Sequence, residues 1–508
     1  MTGTWLTTAD HKRIGRMYIV VALAFLVVGG VAGALLRAQS DLSQLSYLRL
    51  SDLRASGTAT LVLAPLWVGL ATYLVPLQIG ASRLAFPRLQ SFAFWSYALG
   101  GVVHLLSETG AGPRVVGVSL RQFMLNGAGD KGHTDLWVAS LIVVTIAAIA
   151  AAANLVATVL LYRTDGMTLG RLPMFSWATL VSSTGTLLAA PVFLAGLVLL
   201  FIDQHFGGHE FFAAGTVGTQ VIWQHMLWLY GRPDVYLLVV PGLGAASDIV
   251  AHAADRPLAN LNAARTAIAA VGFLAFGAWA AGTKVASSIV LPTYSGLTAA
   301  VVIPLAVLVL VWLDTLRRAG RPRPDVSASF VVAFILALAA AGLAAGVAAI
   351  KPVDGSAWSA GQLDLVAIAA PLLLAVGALH YWGAKLFGRP IGAAAGSAQL
   401  LLLFGGSAVM ALGSYLAGWD GQAGEVAASD GFSRIAEGGA VLVLLGILAT
   451  AASVMARAAR VTASDAAEAG LTLEWATTSP PPAHNFDAIP EVRSSTPLGD
   501  LRAVEASA

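Results

Sequence analysis

Apolar residues in this chain fall in blocks of roughly 20, separated by short polar stretches that carry arginine, glycine and proline. The blocks lie near 17–36, 59–80, 92–107, 137–161, 180–203, 219–246, 265–286, 288–313, 330–350, 363–383, 398–417 and 438–459. Each is long enough to cross a bilayer as a helix, the open-ended element whose backbone hydrogen bonds are all internal. The pattern predicts an all-α membrane protein with about twelve transmembrane helices over residues 1–460. After Arg460 the pattern stops, and residues 461–508, which include "TLEWATTSPPPAHNFDAIPEVRSS", predict a cytoplasmic, Pro-containing tail that is extended or disordered by itself. The chain has no sequence repeat, and no second folded domain is expected.

Composition agrees with the pattern and narrows the chemistry. Hydrophobic residues make up 57% of the chain and charged residues 11%, with a mean hydropathy of +0.77, so the bulk of it folds in lipid rather than water. The formal net charge of +2 gives no reason to expect nucleic acid as a partner. The lack of cysteine excludes disulfides, thiolate metal sites and iron–sulfur clusters. Lysine and arginine concentrate in the loops that share a side with both ends of the chain, including Lys12, Arg83, Arg163, Arg256, Arg318, Lys385 and Arg457, while the run from Asp203 to Gly215 has none. This asymmetry predicts a multi-pass plasma-membrane protein with both termini cytoplasmic. The N-terminal "MTGTWLTTADHKRIGRMYIV" lacks the short apolar core and cleavage site of a removable signal and leads into the first helix.

Most polar motifs have a plain structural reading. The run "GGSAVMALGSYLAG" reads as small residues for close helix packing rather than as a Gly-rich loop. His205 and His209 lie four apart beside Asp203 and Glu210, a ligand-like spacing, but in a segment expected to be a solvated outer loop. His225, on an apolar helix, reads as a hydrogen-bonded core histidine. Charges inside spans are the stronger signal. Arg232 and Asp234 fall in the middle of the sixth span, where a charge costs several kcal/mol unless it is paired or faces water. At i and i+2 they point to different helix faces, so each needs a partner elsewhere. Lys284, near the end of the seventh span, either snorkels outward or joins the same polar cavity.

Several long segments, in order, resemble subunit I of the heme-copper oxidases, specifically the bacterial cytochrome c oxidase type. They are "TTADHKRIGRMYI", "YLVPLQIGASRLAFPRLQSFAFW", "GMTLGRLPMFSW", "WQHMLWLYGRPDVYLLVVPGLG" and "TLEWATTSPPPAHNF", the last similar to the tail of actinobacterial-like members. The resemblance covers nearly the whole chain and implies that family's helical bundle. It also implies a low-spin heme between two histidines, a high-spin heme on one histidine, and a copper ion on three more, because imidazole nitrogen must reach each metal while oxygen binds between iron and copper.

The positions that resemble those ligands carry other residues. The family's helix-two "MHGT" reads "ASGT", which puts Ser56 at the heme ligand. Its "GHPEVY" reads "GRPDVY", which puts Arg232 at a copper ligand. The "WAHHMF" pair reads "WAAGTK", giving Ala281 and Gly282, and the "HFHY" pair, nineteen and seventeen residues before His380, falls on Gly361 and Leu363. No histidine lies between His252 and His380. The paired arginines that hold heme propionates align with Ala423, Gly424 and Glu425, the mouth aspartate of one proton channel with Arg83, and the lysine of the other with Leu308. Asp234, Tyr236 and Asp354 keep acidic or phenolic chemistry at family positions.

The resemblance and its departures together predict a subunit I-like protein that has lost its redox centres, with no cofactor. It would serve as a scaffold, assembly or regulatory partner in membrane lipid beside oxidase subunit II-like and III-like proteins. An active terminal oxidase passing electrons from cytochrome c to oxygen, coupled to proton pumping, is the second reading. The third is a transporter or ligand-binding protein that uses a vacated cavity around Arg232, Asp234 and Lys284.

Overall fold

The computed structural model describes residues 7–38, 46, 49–51, 53–54, 57–109, 131–206, 226, 238–277, 299–323, 325–350, 353, 356–422, 431–461 and 470–501. Helices dominate: α1 (His11–Ala38), α2 (Ala64–Gln78, entered through the π-helical turn Gly57–Leu63), α3 (Pro87–Ser107), α4 (Lys131–Leu161), α5 (Met174–His205), α6 (Leu238–Ala254), α7 (Leu261–Gly277), α8 (Val302–Ala319) and α9 (Val326–Ile350). Then come α10 (Ala357–Leu363 and Ala370–Tyr381, joined by the π-helical turn Asp364–Ala369), α11 (Ala393–Leu400 and Gly406–Trp419, joined by the π-helical turn Leu401–Gly405) and α12 (Gly431–Ala458).

The chain is an all-α membrane protein. Among the described residues eight helices are long and apolar enough to span a bilayer, and α6 and α7 are shorter apolar helices. The expected spans near 219–246, 265–286 and 288–313 run into residues outside the described set, so the count of twelve goes beyond the described residues.

Neighbouring helices pack in sequence, α1 on α2, α3 on α4, α4 on α5, α7 on α8, α9 on α10, α10 on α11 and α11 on α12, and α12 closes back on α1. Lipid is as apolar as leucine, so such contacts depend on close backbone approach rather than on escape from water. Gly15 and Gly69 provide it between α1 and α2: a Cβ on Gly15 would lie 2.7 Å from the Gly69 carbonyl oxygen. The start of α5 is capped from another helix. Asp248 of α6 accepts the backbone N–H groups of Met174 and Phe175, each at 3.1 Å, which satisfies donors that a helix N-terminus otherwise leaves open.

The tail departs from the expectation. Residues 470–501 have little regular structure, as their composition implies, but they are docked on the end of the bundle where α1 begins. Leu473 and Glu474 are fully buried, and Glu474 accepts from Gln78 Nε2 and Trp382 Nε1, both at 3.1 Å. Lys385 donates to the carbonyls of Thr477 (2.8 Å) and Thr478 (3.2 Å). Lys12 donates to the carbonyls of Pro482 (3.0 Å) and Ala483 (3.1 Å) and to Asn485 Oδ1 (2.7 Å). Composition suggested a free tail because polyproline-like segments lack internal hydrogen bonds; here lysines of the bundle supply the partners for the carbonyls.

Candidate functional site

Three charged side chains meet inside the bundle. Arg37 lies in the last turn of α1, Arg54 shortly precedes the π turn that enters α2, and Asp364 is the first residue of the π turn within α10. Arg37 Nη2 donates to Asp364 Oδ2 at 2.6 Å, and Arg54 Nη2 pairs with Asp364 Oδ1. Arg37 Nη1 also donates to Ser414 Oγ of α11 at 3.2 Å. The Asp364 side chain is only 3% exposed. A carboxylate that far from water is tolerable only with cations and hydrogen bonds around it, and one aspartate here ties α1, the approach to α2, and α10.

The cluster stands at one cavity of 60 Å³ among α1, α2, α10, α11 and α12, whose other walls include Leu26, Thr58, Leu372, Leu403, Met410 and Ile447. That is room for a few water molecules. All three π-helical turns among the described residues, Gly57–Leu63, Asp364–Ala369 and Leu401–Gly405, contribute to its wall. A π turn inserts an extra residue into a helix and re-aims the side chains around it, and such turns occur frequently at functional sites.

The sequence-derived positions divide as follows. Ser56, Arg232, Asp234, Tyr236, Ala281, Gly282, Lys284, His209, Glu210, His225, Asp354, Ala423, Gly424 and Glu425 lie outside the described residues. Gly361 is buried against α11, where an added Cβ would sit 2.7 Å from Ser414 Cβ. Leu363 is 58% exposed. Neither lines the cavity, to which α10 contributes Asp364, Ile368, Ala369, Leu372 and Leu373. His380 is buried, with Nε2 2.9 Å from Gln399 Oε1 and its ring stacked on Phe330. Arg83 is exposed and Leu308 is buried. His205 ends α5 rather than lying in a loop, and its Nε2 is 2.9 Å from Asp135 Oδ1. Among the described residues no three His, Asp or Glu side chains converge as a metal site.

Comparison with known proteins supplies the frame for this geometry. The family described as Cytochrome C and Quinol oxidase polypeptide I matches residues 13–456. The chain belongs to that family. It is 30% identical over 99% of its length to the probable cytochrome c oxidase subunit 1-alpha of Streptomyces coelicolor, covering 90% of that protein. It is also 30% identical over 98% of its length to the cytochrome c oxidase subunit 1 of Corynebacterium glutamicum, covering 88% of it. A solved heme-copper terminal oxidase dimer has the same fold, with a TM-score of 0.72 at 13% identity, covering 89% of this chain and 85% of that one. The expected subunit I-like membrane protein is therefore established at the level of family and fold.

The sequence reading missed Arg37, Arg54 and Asp364. The one signal it held is parity. In an alternating bundle the end of the first span, the start of the second and the start of the tenth face the same side, so these three charges were topologically free to meet.

Proposed function

We propose that this chain is a noncatalytic oxidase subunit I homologue, a membrane scaffold for assembly or regulation beside subunit II-like and III-like partners, multi-pass in the plasma membrane with both ends cytoplasmic. The observation that carries the reading is the state of α10. Gly361, at a family heme-ligand position, offers no donor atom, and the backbone there is so close to Ser414 that an imidazole could be housed only by moving α11. Leu363, at the other position, is an exposed aliphatic side chain. Where the family resemblance implies an iron-bound cross-link between the second and tenth helices, this chain has Arg54 paired with Asp364. The remaining cavity of 60 Å³ does not fit a porphyrin. The docking of residues 470–501 on the α1 end, together with the basic loops of that side, supports the cytoplasmic placement of both ends.

The relatives' names as oxidase subunits favour an active terminal oxidase as the second reading. A reduced-minus-oxidised visible spectrum, a pyridine hemochrome assay and copper analysis of the purified membrane complex separate the two. The scaffold reading expects no heme or copper stoichiometric with this chain. Stoichiometric heme and copper held by this subunit would restore the oxidase.

A further inference from the structure

Asp248 of α6 and Glu474 of the docked tail accept from the same nitrogen. Gln78 Nε2, at the end of α2, donates to Asp248 Oδ2 at 3.2 Å and to Glu474 Oε1 at 3.1 Å, and the Ser176 hydroxyl holds the other end of that amide at 2.6 Å. Two carboxyl groups therefore lie within two hydrogen-bond lengths of one another, and both are buried. Their hydrogen-bond partners are neutral: the backbone N–H groups of Met174 and Phe175 and the Gln78 amide for Asp248, Gln78 and Trp382 for Glu474. Of the charged groups around them, Arg265 of α7 faces Asp248 but donates to the carbonyls of Gly170 and Leu172. Lys385 lies over the Trp475 ring and donates to the carbonyls of Thr477 and Thr478. The other titratable side chains facing the pair are Tyr381, whose hydroxyl accepts from Trp475 Nε1 at 3.1 Å, and His252, whose ring is 5.1 Å from that of Tyr381. A cavity of 20 Å³, room for one water, lies between Asp248, Tyr381, Thr472, Ser495 and Thr496 where the tail meets the bundle. The buried Thr472 hydroxyl has no protein partner and lines it.

Two buried carboxylates this close are costly to ionise together. Asp248 lies past the sixth apolar block, at the level of the tail. Burial first, and then the charge of Glu474, push its carboxyl up to about 7, and the water-sized cavity beside it offers the acid proton an acceptor. Release of the tail removes both causes, because Glu474 leaves and water reaches Asp248. We propose that the docked tail is a proton-dependent latch, in which Asp248 keeps a proton while Glu474 is in place and loss of that proton weakens the hold of the tail on the bundle. Between the ordinary carboxylate range and about 7 the docked form binds more protons than the released form. Docking is therefore strongest at acid pH, weakens as pH rises through that window and is constant above it. The tail thereby responds to the pH of the aqueous face on which it lies.

The test is the urea midpoint at which the tail is released from the full chain in phosphatidylcholine nanodiscs. The mobility of a nitroxide on Thr478→Cys reads it, at an exposed tail position in a chain that has no other cysteine. The midpoint is expected to fall between about pH 5 and about pH 7 and to level off above, with a docking constant that drops by up to about tenfold per pH unit, the slope of one proton. Asp248→Asn removes the titrating group and is expected to abolish this dependence. If that variant does not fold, because Asp248 also caps α5, Glu474→Gln keeps the hydrogen-bonding oxygen and removes the like charge. It is expected to raise the midpoint at about pH 8 toward the value at about pH 5. A midpoint independent of pH in the parent chain overturns the proposal, as does a dependence that both variants leave unchanged. A midpoint that falls toward acid overturns it too. That sign belongs to His11, whose ring nitrogens lie 3.1 Å from the Thr72 carbonyl oxygen and 3.2 Å from Asn485 Oδ1 and whose buried imidazole would have to take up a charge.

Discussion

Arg37 and Asp364 are 327 residues apart in the chain and 2.6 Å apart in the fold. With Arg54 on the other carboxylate oxygen, Asp364 is the joint of the bundle where the family resemblance implies a metal cross-link. The contacts are ionic and internal, so their strength is set by the low local dielectric and by the absence of a better-solvated alternative for any member.

Removing the carboxylate should therefore be costly. Asp364→Asn leaves two guanidinium groups sharing a neutral amide, and is expected to lower stability by about 3–5 kcal/mol, the usual result of breaking a buried pair from one side. The thermal midpoint of the purified protein reads this. Adding Arg54→Gln to Asp364→Asn should cost less than Arg54→Gln does alone, because the first change has already removed the ion pair between them; strict additivity of the two changes would mean that the residues are not coupled.

Gly361→His probes whether α10 accepts the residue that the family resemblance places there. With Ser414 Cβ 2.7 Å from the position of the new Cβ, overpacking of about 1–3 kcal/mol is expected. Ser414→Gly should recover part of it. If Gly361→His proves as stable as the parent protein, α10 and α11 are less tightly fixed at this point than their contact indicates.

The tail contact is testable through Asn485. Its side chain accepts from Lys12 at 2.7 Å, donates to the Ala81 carbonyl at 2.8 Å and lies within 3.2 Å of His11 Nε2, and its backbone φ of 71° suits asparagine better than alanine. Asn485→Ala is expected to cost about 1–3 kcal/mol through the buried donors it strands. Limited proteolysis should then cut within residues 470–501 faster than in the parent protein.

Orientation can be read chemically, because the chain has no cysteine to remove first. In intact cells a membrane-impermeant maleimide should label Thr109→Cys at the far end of α3, and should leave Thr164→Cys and Ser494→Cys unlabelled until the cells are opened. The reverse pattern would invert the proposed topology.

The helices were legible in the sequence because lipid imposes a length and an apolarity that each segment must satisfy alone. The ion cluster was not. Arg37 closes one span, Arg54 stands between two, and Asp364 opens another, so each resembles an ordinary flanking charge until the helices are assembled. The docked tail was illegible for a different reason. Leu471, Leu473, Trp475, Phe486 and Val492 are all buried, but only the first three alternate and the alternation stops there, and an irregular segment is recognised only by the surface that receives it. The contrasting burial of Gly361 and Leu363 depends on the rotation of α10, which a single sequence does not specify.

The strap of residues 470–501 also fixes an order of events. Lys12 leaves the ribosome among the first residues and Asn485 follows all of the membrane helices, yet the two are hydrogen-bonded partners. Insertion of the helices can proceed one after another as they are made, but the start of α1 is not locked until the far end of the chain has been synthesised. Truncated products, which lack the strap, would reach the membrane with Lys12 and Lys385 exposed at the same face, a ready distinction between unfinished and finished molecules for any quality-control protease that samples that side.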